Sequence, residues 1–478
     1  METHPGAGVT DAWKPTGLAG KTAALLRCAR NDGGSPFTMN RMTGSQPEAS
    51  MDDRIVAGQG GPAVPRALRL AIAALALVPA PTVAAPEAAP PSTLAPSFET
   101  CRTDLITWAT AHDVPQAVAQ AQLGGLVPDP DVLAATQNQG EFVRPIWEYI
   151  EASVTPARIE AGQRKLAELA GPLAAIGLQY GVDRFTLAAF WGVESTYGAV
   201  LDNSAVVKPV VRSLATLSCG DPARSGYWRD ELTASLQILA RDEAPLDRMP
   251  GGLTGSWAGA MGHTQFMPTV YQQHAVDFDG DGKRDIWTSA PDALASTANY
   301  LRAHGWRSAE GWGYEVVLPD GFDAAFADET TPRSFAAWRD LGVKPARDRP
   351  IPDESAQATL ILPAGIRGPA FLLRPNFAVI LRYNTALAYA LTVALLSDRL
   401  RGDPGLTRDW PRGDRALTSD ERRDLQTRLT GRGYATGGVD GKIGPKTRAA
   451  LRAYQGSQGL PADGYADPAL LERIRAAP

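Results

Sequence analysis

The chain has 478 residues, of which 44% are hydrophobic and 7% aromatic, and its formal net charge at pH 7 is −5. That length predicts about two or three domains, and the hydrophobic fraction is large enough to form their cores. The acidic charge balance argues against nucleic acid as a partner, because proteins that bind nucleic acid usually carry basic patches.

The N-terminal region carries the pattern of a secretory signal at a distance from Met1. Two arginines precede a short apolar run at residues 70–78, and small residues follow at residues 83–85. A positively charged flank, a short apolar core and a small-residue site are typical of a signal peptide, and the run is too short to span a bilayer. We therefore predict a signal peptide region at residues 51–85, with Met51 as the true start. The alternative is a disordered N-terminal arm.

This interpretation makes residues 1–50 a doubtful or disordered extension and residues 86–97 a linker rich in Pro, Ala and Ser. It predicts a periplasmic protein without a lipid anchor, because no Leu-x-x-Cys pattern follows the apolar run. Disulfides persist in an oxidising compartment. The two cysteines outside the extension, Cys101 and Cys219, are therefore expected to form one.

Two folded regions follow. Residues 98–400 form a long region, here called the large domain; residues 401–414, rich in Gly and Pro, form a second linker; residues 415–478 form a compact C-terminal module. In the large domain, apolar residues at helical spacing predict mainly helices, and short Val/Leu runs predict strands. The predicted helices span residues 158–180, 290–301 and 378–396, with another after the N-cap Asp183, and the predicted strands span 315–318 and 359–362. The fold class is therefore α+β, dominated by helices.

A carboxylate ends the apolar stripe of the helix that follows Asp183. Leu187, Phe190 and Trp191 lie one or two turns before Glu194, on the same helical face. The next residues, Ser-Thr-Tyr-Gly, indicate that the helix ends within one turn. Desolvation by the aromatic rings and the negative end of the helix dipole would raise the pKa of Glu194 and keep it protonated for general-acid catalysis. The alternative is a glutamate that points into solvent.

A stretch dense in small residues occupies positions 255–268, with the sequence Gly-Ser-Trp-Ala-Gly-Ala-Met-Gly-His-Thr-Gln-Phe-Met-Pro. We call it the glycine-rich block. Small residues permit close approach of the backbone to a ligand. Gln265, Phe266 and Met267 then offer an amide and apolar surfaces to a sugar. The alternative is a tight turn packed in the core.

An acidic loop at residues 277–292 begins like an EF-hand, with Asp at its first, third and fifth positions and Gly at its sixth. Thr288 occupies the twelfth position, where a bidentate Glu is expected, and an Asp four residues later can replace it through a longer loop. The predicted ligands are Asp277, Asp279, Asp281, the carbonyl of Lys283, and Asp292. We expect a structural calcium or sodium ion; the alternative is a solvated acidic turn.

The C-terminal module has a different pattern. Amphipathic helices are predicted at residues 422–429 and 446–455, and between them Asp440 and Gly441 form a tight turn that leads to Pro445 in the first turn of the second helix. The residues predicted to be buried are Leu425, Leu429, Leu451 and Tyr454. The module resembles the peptidoglycan-binding module found at the ends of cell-wall hydrolases, a small three-helix bundle.

The segments of the large domain together resemble the lytic murein transglycosylase B family. The matching segments, in the order of the family, are Phe-Trp-Gly-Val-Glu-Ser-Thr-Tyr-Gly at residues 190–198, Gly-Ala-Met-Gly…Gln-Phe-Met-Pro in the glycine-rich block, residues 277–287, and Arg-Tyr-Asn at residues 382–384. The resemblance implies a lysozyme-like catalytic domain that cleaves the β-1,4 bond between N-acetylmuramic acid and N-acetylglucosamine. It also supports Asp292 as the distant last ligand of an EF-hand-like site.

The same resemblance implies that one carboxylate performs both chemical steps. Glu194 would protonate the leaving oxygen and then act as base on the C6 hydroxyl of muramic acid, which attacks C1 and leaves a 1,6-anhydro end. Ordinary glycosidases use two carboxylates. The residues implied to line the cleft are Ser256, Gln265, Phe266, Met267, Tyr383, Asn384 and Tyr389. His263 occupies a position that varies in the family and is not expected to be a base, and Ala386 replaces the usual Ser.

Two other functions stay open at this point. One is a lysozyme-like muramidase, in which water attacks C1, and the other is a non-catalytic protein that only binds the cell wall. All three interpretations make the glycan strands of peptidoglycan the partner. We expect a monomer with no membrane span and no cofactor for catalysis.

Overall fold

The computed structural model describes residues 97–136, 144–241, 243–249, 251–347 and 353–477. The predicted extension and signal peptide region, and all but the last residue of the first linker, lie outside the described residues. The helices of the large domain are α1 (Phe98–Ala111), α2 (Gln116–Leu123), α3 (Pro130–Ala135), α4 (Ile146–Ser153), α5 (Pro156–Glu168), α6 (Ala170–Tyr180), α7 (Arg184–Ser195), α8 (Val210–Gly220), α9 (Ser225–Arg241), α10 (Pro268–His274), α11 (Ala290–Ala303), α12 (Phe335–Asp340), α13 (Pro375–Tyr383) and α14 (Leu387–Arg401).

The strands belong to two antiparallel sheets. They are β1 (Lys208–Pro209), β2 (Thr254–Gly255), β3 (Gly313–Val317), β4 (Arg333–Ser334), β5 (Lys344–Pro345), β6 (Gln357–Ile361) and β7 (Ala370–Leu373). β1 pairs with β2, and the other five strands form one sheet in the order β4-β6-β7-β3-β5. α12 packs on this larger sheet around Phe335 and Trp338, which are both buried. The sheet therefore has a small core of its own beside the helices.

Helix α7 lies at the centre of the helical core. Its residues from Thr186 to Ser195 are all buried, and it packs against α14, α5, α11 and α6. A helix buried on every side must be enclosed by other helices rather than lie on the surface. α7 therefore carries Glu194 into the interior of the domain.

Two of the predicted helices are each divided in the structure, which corrects their predicted bounds. The segment 158–180 is α5 and α6, separated at Leu169, which has a non-helical backbone (φ −104°, ψ 25°). The segment 378–396 belongs to α13 and α14, which meet at an angle of 118°. Apolar residues continue at helical spacing across both breaks, because both helices of each pair bury one face in the core. Periodicity therefore does not reveal where the chain changes direction. The two predicted strands and the helix at residues 290–301 are confirmed as β3, β6 and α11.

Within the described part of the chain, no single helix is both long and apolar enough to cross a membrane. Helices α13 and α14 meet that criterion only as a bent pair.

The two cysteines outside the extension lie together. Cys101 on α1 and Cys219 near the end of α8 form a disulfide, with their Cα atoms 5.9 Å apart, a separation that is ordinary for this bond. The disulfide joins the first helix of the large domain to a helix that is 118 residues later in the sequence.

The C-terminal module consists of three helices, α15 (Ser419–Gly431), α16 (Pro445–Ser457) and α17 (Pro468–Ala476). The predicted core is confirmed, since these four residues are buried: Leu425, Leu429, Leu451 and Tyr454. α15 begins with a capping box between Thr418 and Glu421. The module contacts the large domain through Arg448, whose Nη2 donates to Glu329 Oε2 at 2.6 Å.

The second linker is packed along the large domain. The carboxylate of Glu315 accepts hydrogen bonds from the backbone N–H groups of Thr407 (2.8 Å) and Arg408 (2.9 Å). Trp410 is buried, and its ring lies 6.3 Å from that of Trp147. Composition alone predicts a connecting segment here, and the structure adds that this segment is held at several points.

Candidate active site

Glu194 occupies the last turn of α7 and is only 5% exposed. The helix starts where the sequence predicts, because the side chain of Asp183 accepts hydrogen bonds from the N–H groups of Phe185 and Thr186, both at 3.1 Å. It ends at Ser195, and Thr196 adopts a left-handed conformation as the C-cap. The burial excludes the alternative of a solvent-directed glutamate.

Tyr389, on α14, donates a hydrogen bond from its hydroxyl to Glu194 Oε1. Its side chain is completely buried. Burial, and then the negative charge of Glu194, raise the pKa of Tyr389 well above the usual range of a phenol. The phenol therefore keeps its proton and acts as a donor to Glu194. When Glu194 is ionised, this hydrogen bond is charge-assisted and stronger than one between neutral groups.

Aromatic rings pack beside this pair. Phe190 lies one turn before Glu194, and its ring centroid is 4.7 Å from that of Tyr383. The Tyr383 hydroxyl donates to the backbone carbonyl of Thr264. Phe266 in turn packs against Tyr383 at 6.1 Å. These contacts bring the end of α13 and the glycine-rich block to the same side of α7 as the carboxylate.

The glycine-rich block folds back on itself. Met261 and Phe266 exchange backbone hydrogen bonds of 2.8 and 3.0 Å. Gly262 has a φ of +67°, and a Cβ at this position would lie 2.3 Å from the carbonyl oxygen of Ile286. Glycine is therefore required there, both for its conformation and for the close approach of the acidic loop. The alternative of a tight, packed turn is correct for the backbone, although it leaves one side chain with an unsatisfied polar atom.

That side chain is Gln265. It is 7% exposed and has a φ of +54°, a conformation that is unfavourable for a residue other than glycine. Its Nε2 donates to the carbonyl of Gly262 at 2.8 Å, whereas its Oε1 has no hydrogen-bond partner within the described residues. Buried polar atoms nearly always have a partner. An acceptor left open in a strained turn is well suited to a donor group of a ligand.

The other predicted substrate-binding residues help to shape the walls. Ser256 is fully buried, and its Oγ accepts hydrogen bonds from the N–H groups of Ala258 (3.3 Å) and Ala260 (3.1 Å). Asn384 lies in the bend between α13 and α14, where its Oδ1 accepts from the N–H of Ala386 at 3.0 Å. Met267 is buried and forms the N-cap position of α10. Ser256 therefore holds a turn of the glycine-rich block, and Asn384 holds the bend between α13 and α14.

His263 is the residue of this site whose role sequence reasoning missed. Trp191 donates from Nε1 to His263 Nδ1 at 2.9 Å, and the Ser195 hydroxyl donates to the His263 carbonyl at 2.6 Å. Burial lowers the pKa of His263 to about 4. The neighbours of Glu194 in the sequence are thus attached to the glycine-rich block through one histidine. No local pattern distinguishes this histidine, because all of its partners come from other segments.

The acidic loop brings three of its predicted ligands together. One carboxylate oxygen from each of Asp277, Asp279 and Asp292 lies within 4.8 Å of the others. Calcium and sodium both prefer oxygen donors of this kind, so the donor set fits a hard cation. Asp281 is directed elsewhere, since its carboxylate forms an ion pair of 2.7 Å with Arg248. The N–H of Lys283 donates to Asp281 at 2.9 Å.

The acidic loop also contacts the glycine-rich block and the strand before it. The N–H of His263 donates to the carbonyl of Ile286 at 2.8 Å. The indole N–H of Trp287 donates to the carbonyl of Thr254 at 2.8 Å. The loop therefore lies beside the segment that carries Gln265.

Comparison with known families gives two matches along the chain. Residues 97–398 match the family described as transglycosylase SLT domain, and residues 418–474 match the putative peptidoglycan binding domain. Among curated proteins, the chain is 33% identical over 250 residues to membrane-bound lytic murein transglycosylase B of Escherichia coli (strain K12). That alignment covers 51% of this chain and 64% of the relative, so the chain matches less than two thirds of its length.

Solved structures are similar to a larger part of the chain. The structure of SltB3 from Pseudomonas aeruginosa in complex with NAG-anhNAM-pentapeptide is 45% identical, with a TM-score of 0.74, and the match covers 80% of this chain and 100% of that one. The Escherichia coli lytic transglycosylase Slt35 in complex with calcium is 31% identical, with a TM-score of 0.52 and coverages of 63% and 93%. The predicted class, mainly helical α+β with a small C-terminal domain, agrees with these neighbours and is confirmed.

Proposed function

The chain belongs to the transglycosylase SLT domain family, and from this premise we propose that it is a peptidoglycan lytic transglycosylase. It cleaves the β-1,4 bond between N-acetylmuramic acid and N-acetylglucosamine and leaves 1,6-anhydromuramic ends. The observation that carries the proposal is Glu194, a buried carboxylate at the end of a central helix that accepts a hydrogen bond from Tyr389. The similarity to SltB3, whose complex contains an anhydro sugar, supports the same product.

In the first step Glu194 gives its proton to the glycosidic oxygen while the bond from that oxygen to C1 of muramic acid breaks. The N-acetylglucosamine side leaves with the new hydroxyl. Glu194 is then a carboxylate, and the hydroxyl of Tyr389 stabilises its charge in a site with little water. General-acid catalysis by one positioned group contributes a factor of about 10² to 10⁴ to the rate.

In the second step the carboxylate of Glu194 removes the proton from the C6 hydroxyl of muramic acid, and the C6 oxygen bonds to C1. This closes the 1,6-anhydro ring and restores the protonated glutamic acid, so no water is consumed. A single residue is sufficient because the proton lost in the first step returns in the second. The cationic character at C1 between the steps requires polar groups nearby.

Substrate contacts are assigned to the walls around Glu194. The Oε1 of Gln265, which has no partner among the described residues, accepts a hydrogen bond from an amide or hydroxyl of the sugar. Phe266, Met267 and Tyr383 provide apolar surface. Asn384 keeps the bend between α13 and α14 in place, and Ser256 does the same for a turn of the glycine-rich block.

The acidic loop is proposed to hold calcium, or sodium in its place. Asp277, Asp279 and Asp292 would bind the ion, and its positive charge would offset three neighbouring carboxylates. The similarity to a structure of Slt35 in complex with calcium supports this assignment. The ion has no part in the chemistry of Glu194, which needs no cofactor, and its role is to stabilise the loop beside the glycine-rich block.

The protein is proposed to act as a monomer in the periplasm. The predicted signal peptide and the disulfide between Cys101 and Cys219 both favour an exported protein. The C-terminal module would hold the enzyme on its polymeric substrate, because a tethered binding domain raises the local concentration of substrate.

The test is the identity of the new glycan ends. Purified sacculi are digested with the chain that starts after the predicted signal, and the soluble products are separated and weighed by mass spectrometry. Anhydromuramic ends, each lighter by one water than a reducing end, are expected. Reducing muramic ends would instead identify a muramidase, and an absence of soluble products would favour a binding protein. Glu168→Gln, a change of an exposed glutamate on α5, is the matched control for Glu194→Gln.

A further inference from the structure

His263 joins three segments of the active site. Its side chain accepts a hydrogen bond from Trp191 Nε1 at 2.9 Å, and its carbonyl accepts one from the Ser195 hydroxyl at 2.6 Å. These partners lie three residues before and one residue after Glu194. Its N–H donates to the carbonyl of Ile286 in the acidic loop at 2.8 Å. The last turn of α7 is thus attached on both sides of the catalytic residue to one point of the glycine-rich block.

The imidazole has little room to move. Gly198 has a φ of +85°, and a Cβ at this position would lie 2.4 Å from His263 Cε1. The ring also packs edge-on against Trp191 at 5.4 Å between centroids. The turn that ends α7 therefore fits closely around the ring, which places the indole and the imidazole in one arrangement.

The chemistry of the contact defines the protonation state of the histidine. An indole N–H is a donor only, so His263 Nδ1 is the unprotonated nitrogen and the proton resides on Nε2. Burial lowers the pKa of His263 to about 4, and Asp285, Lys165 and Asp202 are the charged groups that influence it. The ring is therefore neutral at neutral pH and remains an acceptor for Trp191.

We propose that His263 is a positioning residue for Glu194. Its Nδ1 fixes the indole of Trp191, and this bond, together with the Ser195–His263 bond, holds the last turn of α7 in the orientation that directs the carboxylate toward the substrate. This inference rests on the proposed function, because Glu194 is taken as the acid and base. In this role the half-buried His263 neither exchanges a proton with the substrate nor binds a metal.

The test compares two variants of equal shape. In His263→Asn, the amide oxygen takes the place of Nδ1 and still accepts from Trp191, whereas His263→Leu has the same branching and no acceptor. We expect kcat on glycan strands to fall about fivefold to tenfold in His263→Leu, the range of one lost hydrogen bond, with KM nearly unchanged. His263→Asn should retain most of kcat. The indole N–H resonance of Trp191, identified with Trp191→Phe, should move in His263→Leu and stay near its original position in His263→Asn.

Equal losses in the two variants would overturn the proposal, as would a loss that appears in KM or that only follows a lowered melting temperature. If His263→Leu does not fold, Trp191→Phe removes the same hydrogen bond from the other side and should give the same loss of kcat; full kcat in that variant would also overturn it. The two variants are compared by the rate of strand cleavage, which is measured in the same way for anhydro and for reducing ends. A wild-type enzyme that produced reducing ends would contradict the proposed function while the ratio of the two variants still tested the role of His263.

Discussion

The molecule contains two acidic centres that are built in opposite ways. Glu194 is 5% exposed, and the hydroxyl that bonds to it belongs to Tyr389, 195 residues later in the sequence. In the acidic loop, Asp277 and Asp279 are exposed, and their carboxylates accept hydrogen bonds from backbone N–H groups at most five residues away. The most distant donor to the loop's buried Asp292 is Phe278, 14 residues before it.

The difference reflects what each centre is proposed to do. A catalytic acid must exchange a proton at neutral pH, which requires a site with little water that only the packing of several helices provides. A cation site requires several oxygen atoms at short range, which one loop can supply from its own residues. The first centre therefore depends on the whole domain, and the second depends mainly on local spacing.

The largest expected effect is at Glu194. Glu194→Gln keeps the shape of the side chain and removes the proton that is exchanged, so the release of soluble muropeptides from sacculi should fall by about 10³-fold or more. The melting temperature should change little, because the amide can still accept from Tyr389. Glu168→Gln should retain full activity. A Glu194→Gln variant with substantial activity would show that the acid lies elsewhere.

The next effect concerns His263, which links α7 to the acidic loop, and it depends on pH. The pKa of His263 is lowered to about 4 in the folded protein, compared with 6.5 for a free histidine. The unfolded chain therefore binds more protons than the folded protein between these two pH values. The contribution of a neutral His263 to the free energy of unfolding is thus fully present above pH 6.5 and is lost as the pH falls toward 4. The loss corresponds to about 3 kcal/mol in the free energy of unfolding.

Urea unfolding at several pH values measures this effect. His263→Asn removes the titrating group, so the difference in stability between the wild type and this variant should shrink or reverse as the pH falls through that window. A difference that is constant with pH would contradict the assignment of a neutral His263.

A smaller effect is expected at Tyr389. Tyr389→Phe removes the hydroxyl that donates to Glu194 and leaves the ring in place. A hydrogen bond to a charged group contributes about 1.5 to 3 kcal/mol, so kcat should fall about tenfold to a hundredfold, because the carboxylate is formed only after the first proton transfer. Steady-state kinetics on soluble glycan strands measures it. A change in KM alone would indicate that Tyr389 contributes only to binding.

The smallest effect is expected in the acidic loop. Calcium should raise the melting temperature of the wild type by a few degrees, since a ligand that binds only the folded state stabilises it by mass action. Asp279→Asn should abolish this response, whereas Asp281→Asn should retain it, because Asp281 pairs with Arg248 and lies outside the group of three carboxylates. Differential scanning calorimetry with calcium or chelator measures the shift. An equal response in both variants would exclude the assigned ligands.

Much of the local structure could be predicted from the sequence. The N-cap Asp183 and the end of α7 follow from residues within one turn, and the spacing of aspartates identifies the acidic loop. Apolar periodicity also predicts the buried residues of the C-terminal module, because a three-helix bundle buries one face of each helix. The contacts that determine these features lie within a few residues of each other.

The tertiary structure alone decided how these pieces meet. It separated the segment 378–396 into two helices at Asn384, which placed Tyr383 and Tyr389 on different helices that face α7. It also directed Asp281 toward Arg248 and turned His263 into the link between α7 and the acidic loop.

The sequence by itself therefore indicated several helices, the N-cap Asp183, the spacing of aspartates in the acidic loop and, with the family resemblance, the candidate acid. The tertiary structure decided that Glu194 is buried, which hydroxyl bonds to it and which aspartates converge. The physical reason is the range of the interactions. Caps, turns and periodic faces depend on neighbours in the chain, whereas desolvation and long-range hydrogen bonds depend on segments that come together only when the hydrophobic core forms.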